Sequence, residues 1–212
     1  MGPKVSLTGN IDDCTLALRL GIAVNALEAS QRFYLFVKDA DGPAGDRDRL
    51  WAFLVAVGFI HEAIQLLRSH FPRVRNLARV GGADDETLMS ASQLLGGNLS
   101  VSRPISRMRN KLIFHWDDNV IRTYVTKFSS DRVTWASGVG DTQGETVFTA
   151  AADALINSVL PDEPGADAER DAVRLKAFVN DIPPTTKLLI QLFQQAIMGH
   201  WRSYDMRTEH AS

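Results

Sequence analysis

The 212-residue chain is long enough to bury a sizeable core without disulfide or metal staples, and its 45% hydrophobic and 23% charged residues are those of an ordinary globular protein. A formal net charge of −2 excludes a surface that coats nucleic acid everywhere, while leaving room for a local basic groove. Cys14 stands alone, which excludes an intrachain disulfide framework and a Cys-rich zinc site and points to a reducing, cytoplasmic setting.

The first predicted element is a helix from Asp12 to Lys38, capped by Asp12 or Asp13. Its apolar residues (Leu16, Leu18, Leu20, Ile22, Val24, Leu27, Phe33, Phe36) occupy nearly every face, the pattern of a helix buried centrally or shared with a second subunit. Asp39 to Gly45 reads as a turn. A second apolar helix follows from Asp46 to His70, with Pro72 expected to end it. Its stretch Leu50 to Ile60 has eleven uncharged residues, against the roughly 20 of a membrane span, so no membrane association is expected.

Arg68 to Arg79 reads as a basic connection, either a solvated helix end or part of a phosphate-facing rim. Gly81-Gly82 breaks the chain, the acidic Asp84-Asp85-Glu86 opens a third helix to Leu95, and Gly96-Gly97 stops it. Ser100 or Ser102, with Pro104 in the first turn, starts a fourth helix to Trp116. The β-branched and aromatic residues of 119–137, around the turn Ser129-Ser130-Asp131-Arg132, predict a β-hairpin. Gly138 to Gly144 is a polar loop without the Gly-Lys-Ser/Thr ending of a phosphate loop. A fifth helix is expected over Val147 to Leu160. A last helical region, from Ala168 to His200, should be broken or kinked at Pro183-Pro184, ahead of a frayed tail.

Most of the chemistry is concentrated in Arg109-Asn110-Lys111-Leu112-Ile113-Phe114-His115-Trp116-Asp117. Arg109 is a permanent cation for charge developing on a phosphate, His115 can exchange a proton near neutral pH, and Asn110 can orient either. On a helical wheel Ile105, Met108, Leu112 and Trp116 form one apolar stripe, with Arg109 about 50° to one side and His115 about 70° to the other. The two diverge by about 120°, so one helix alone does not aim them at one atom. Either the helix unwinds at His115 or a second copy completes the site. Phe114, pointing away from the stripe, suits burial against a partner or against the hairpin.

Arg109-Asn110 followed by His115, on a helix after two long amphipathic helices, resembles the HEPN superfamily, whose motif is Arg-x4–6-His with Asn commonly after Arg. The resemblance covers residues 12–117. It implies a mainly α antiparallel helical bundle, here with a small inserted β-hairpin at 119–137 and C-terminal helices over 147–200, all within one domain. It also implies a homodimer whose motifs face each other. Many members are metal-independent endoribonucleases, often toxins with a cognate antitoxin or antiphage proteins; others are non-catalytic interaction modules. On the first reading Arg109, Asn110 and His115 are catalytic, Arg103, Arg107 and Lys111 bind RNA, and neither metal nor other cofactor is needed.

The remaining constellations are weaker. His61-Glu62 opens like a zinc-protease helix, but Gln65 stands where the second histidine belongs. Cys14, among Leu and Ala, reads as a small core residue. Trp51, Trp116, Trp135 and Trp201 are too scattered for an aromatic nucleic-acid platform.

Overall fold

The computed structural model describes residues 11–96, 105, 137–138, 147–148 and 168–209. These hold four helices, α1 (Ile11–Val37), α2 (Gly42–Gly81), α3 (Asp85–Leu95) and α4 (Ala168–Glu209), and two short strands, β1 (Ser137–Gly138) and β2 (Val147–Phe148). α2 and α4 are the central pair: they pack most extensively on each other, α1 meets both, and the shorter α3 lies mainly on α4.

The core is drawn from one stripe of each helix. α1 contributes Leu16, Leu20, Val24 and Leu27, α2 contributes Leu54, Val57, Ile60, Leu67 and Val74, α3 contributes Leu88, Ala91 and Leu94, and α4 contributes Phe178, Leu189, Leu192, Phe193 and Ala196. Near the start of α2, Phe53 meets Phe178 of α4 edge to face, with ring centroids 5.9 Å apart. Near its end the two helices touch backbone to backbone. A methyl group on Gly81 would run into the carbonyl of Gln195, and one on Gly199 into the carbonyl of Leu77.

Local chemistry explains the helix ends. Gly82, at φ 101°, sits in the left-handed region that favours glycine and closes α2, its N–H reaching the Arg79 carbonyl at 3.1 Å. Asp84 caps α3: its Oδ1 accepts the Thr87 N–H at 2.7 Å, and the Thr87 side chain first and its backbone N–H second hold the carboxyl below its ordinary pKa.

Several expectations are corrected. α2 does not stop at Pro72. His70, at φ −128° and ψ 17°, absorbs the kink, and the helix continues to Gly81, so Arg68 to Arg79 is helix rather than connection. Pro72 and Arg68 are exposed, so the carbonyl that the proline leaves without a donor faces water. α4 likewise runs through Pro183-Pro184 and on to Glu209, past the expected tail. Both prolines are exposed, as are Val179 and Asn180, whose carbonyls lose their donors, while Thr185 and Thr186 turn buried hydroxyls back to the Asp181 and Ile182 carbonyls.

The fold class is also corrected: the described residues form a mainly α four-helix bundle, and the one strand pairing among them is not the expected hairpin. The expected turn 129–132 and the stretch 119–136 lie outside the described residues. Ser137, expected to end the hairpin's second strand, instead pairs forward with Phe148, and Gly138 pairs with Val147. Two residues per strand are far short of an ordinary strand. That pairing also places Val147 and Phe148 in a ladder rather than at the head of a fifth helix.

Candidate functional site

Arg109, Asn110 and His115 lie outside the described residues, together with Arg103, Arg107, Lys111 and Phe114. The one described position in this stretch is Ile105, the first residue of the predicted apolar stripe. It is helical and fully buried in the bundle core.

Among the described residues no group of three or more His, Cys, Asp or Glu side chains is placed to hold a metal. His61 is buried in the bundle and Glu62, the next residue on the helix, is exposed, so the zinc-protease-like dipeptide splits across two faces. Cys14 is half-buried.

The polar residues of this region hold helices together. Arg73 of α2 pairs with Asp13 of α1, and Arg19 Nη1 donates to His70 Nε2 at 3.3 Å beside the kink. His200 of α4 is buried. Desolvation, followed by the nearby Arg73 cation, lowers its pKa below that of an ordinary histidine, so the neutral ring is favoured. Arg202 donates to the Val80 carbonyl at 3.2 Å, beside the end of α2. Arg68 and Arg75 project into solvent, and Arg79 faces Asp85 at 3.9 Å, so the basic run is partly neutralised at its far end.

Among the described residues an extended apolar surface lies on the side of α1 and α2 away from the core. α1 buries Leu16, Leu20, Val24 and Leu27 on one side. On the opposite side, on the order of 180° around the helix, it exposes Leu18, Ile22, Asn25, Ala29, Phe33 and Phe36. Ile22 is 68% exposed and Phe36 86%. On α2, Trp51, Val55 and Phe59 continue the surface at i, i+4 and i+8, all exposed. Between the two helices runs a groove of 320 Å³ whose walls include Ile22, Ala26, Phe59 and Leu66, with Arg19 and Glu62 as its charged lining.

Sequence reading found α1 apolar all round but did not find the α2 half of this surface. The signal was present in the four-residue spacing of Trp51, Val55 and Phe59. It was hidden because α2 is apolar on its inner side as well. By length and composition the stretch Ala44–Gly81 would even suffice to cross a membrane, and 56% of its most apolar window is buried inside the bundle.

No family model, no curated protein and no solved structure matches the chain.

Proposed function

We propose that the chain is a HEPN-like helical interaction module that works by docking a partner on the outer face of α1 and α2. The observation that carries this reading is the exposed apolar surface of Leu18, Ile22, Phe33 and Phe36 with Trp51, Val55 and Phe59. Apolar patches on monomers rarely exceed a few hundred Å², and larger ones mark interaction sites. On this reading Arg109 and His115 belong to the fold or its assembly, and truncating either leaves polar neighbours unsatisfied, at about 1–3 kcal/mol.

The second reading is metal-independent RNA cleavage, alone or held in check by a cognate antitoxin. It is favoured by the Arg109-Asn110…His115 motif. His115 would move the proton, Arg109 would stabilise charge on the phosphate, Asn110 would orient them, and Arg103, Arg107 and Lys111 would hold the RNA backbone.

One experiment separates the two. Purified protein is incubated with a structured RNA in EDTA, and His115→Ala and Arg109→Ala are compared for cleavage and for melting temperature. The module reading expects intact RNA and a clear loss of melting temperature in the variants. Cleavage that disappears in both variants, with melting unchanged, overturns it in favour of the ribonuclease.

A further inference from the structure

We propose that the outer α1–α2 face seats on a phospholipid bilayer, lying in the interface of one leaflet without crossing it. The inference rests on the interaction-module reading and gives the partner its chemistry, a zwitterionic lipid surface rather than a folded protein.

The last turn of α1 decides between those two. Phe33, Tyr34, Leu35 and Phe36 are consecutive, and they are 41%, 45%, 58% and 86% exposed. Four consecutive helical residues turn through about 300°, so large apolar side chains leave α1 on nearly every side there. A protein groove takes up a helix along one apolar face. Fluid acyl chains close around it from all sides.

The residue types fit the same partner. Tyr34 and Trp51 join an apolar ring to a polar O–H or N–H, the chemistry that collects at the boundary between headgroups and acyl chains. At their fractional exposures the seven large apolar side chains of the face present roughly 700 Å² of surface, above the largest patch of many monomers. Interfacial binding grows with the apolar area buried. The groove beside Ile22 and Phe59, lined also by Ala23, Ala26 and Ala63, gives an acyl chain a place to lie.

Charge selects the headgroup. Along the border of the face Arg32 pairs with Glu28 at 3.2 Å, Lys38 with Asp39 at 3.7 Å and Arg47 with Asp48 at 2.9 Å, while Arg19 and Glu62 in the groove are of opposite sign. Anionic lipid attracts clusters of unpaired cations, and this border offers none. A headgroup that itself carries both charges, such as phosphocholine, is the match. Crossing the bilayer is a different matter. Of the most apolar window of α2, 56% is buried inside the bundle, so a span would have to open the core, whereas a helix pair lying on the leaflet keeps it.

The test mixes the full chain with phosphatidylcholine vesicles and floats them through a density gradient, so that aggregated protein stays behind. The chain is expected to float with the vesicles, equally at about 0.1 M and about 0.5 M sodium chloride. Phe36→Ser and Ile22→Lys alter positions that are open to solvent in the fold. Each is expected to lower partitioning by about tenfold or more, with unchanged helicity by circular dichroism. Arg75→Ala, on the exposed side of α2 beyond the kink, is expected to float like the parent.

A parent chain that does not float overturns the inference and returns the face to a protein partner. Flotation that survives both Phe36→Ser and Ile22→Lys overturns it by placing the lipid contact elsewhere. Flotation only with phosphatidylserine, lost in high salt and in Arg75→Ala, overturns it by assigning the contact to the basic run of α2. None of these results decides the module reading, which stands or falls on RNA cleavage and on the melting of the Arg109→Ala and His115→Ala variants.

Discussion

The contact between α2 and α4 and the outer face of α1 and α2 draw on the same amino acids and meet opposite fates. Phe178 and Phe193 disappear into the first, whereas Phe33, Phe36 and Phe59 stand out from the second. What separates them is backbone approach. Gly81 and Gly199 let α2 and α4 close until main chain meets main chain. On the outer face a groove beside Ile22 and Phe59 stays open instead. Apolar content therefore records which surfaces need cover, while small residues at a crossing record which of them find it within one chain.

The sharpest way to break the comparison is to shorten one phenylalanine from each region. Phe193→Ala empties a fully buried site and should destabilise by about 3–5 kcal/mol, lowering the melting temperature by about 10 °C or more. Phe36→Ala removes a ring that is 86% exposed and should change the stability of the isolated fold by less than about 0.5 kcal/mol. Thermal melts at low protein concentration, where self-association contributes least, make the check. Equal losses in the two variants would mean that Phe36 is packed in the folded chain, and the contrast would fall.

Gly199→Ala attacks the same contact from the backbone. Its methyl group points into the Leu77 carbonyl, which belongs to a helix and cannot swing aside as a side chain can. The helices must separate, at about 2–3 kcal/mol, or about 4–10 °C in a melt. A variant that melts with the parent would show that the crossing is looser than backbone contact.

The contrast also explains what the sequence disclosed. The helix α1 itself, the acidic opening of α3 at Asp84-Asp85-Glu86, and the glycine stop at Gly81-Gly82 are local patterns, and they were legible because each depends on neighbours within a turn or two. The helix breaks expected at Pro72 and Pro183-Pro184 failed because a proline's local cost is offset when its orphaned carbonyl faces water and the rest of the helix is buried against partners. That is a tertiary fact. Ser137 pairs with Phe148 outside the predicted hairpin, and β-propensity over 119–137 carries no information about that partner. Of the candidate site, the Arg109-Asn110…His115 motif is visible in the sequence alone, whereas the outer face emerges only when the stripes of two helices are laid side by side.

A third glycine sharpens the comparison from the favourable side. Gly21 lies in the interior of α1, and a methyl group there meets nothing within 4 Å. Gly21→Ala should therefore raise stability by about 0.5–1 kcal/mol, through helix propensity and a less free unfolded chain, a gain of about 1–4 °C. The opposite sign from Gly199→Ala is the point of the pair. Destabilisation by both would mean that α1 is approached as closely as α4.

The smallest expected effect is a pH dependence seated at the α2–α4 contact. His200 is buried there with its pKa lowered, by desolvation first and by the Arg73 cation second. A histidine whose pKa is lower in the fold than in the unfolded chain binds fewer protons when folded. Its contribution is therefore full above the unfolded value near 6.5 and declines as pH falls below it. The melting temperature should be flat from about pH 8 to 7 and fall by about a degree or two towards pH 5. His200→Gln, which keeps a polar side chain but cannot take up the proton, should flatten that slope. Asp84, whose pKa is also lowered, loses its contribution only when pH falls through the carboxylate range, so it does not enter this window. An unchanged slope in His200→Gln would assign the dependence to another group, and a slope of opposite sign would mean that the ring gains an anionic partner on folding rather than losing water.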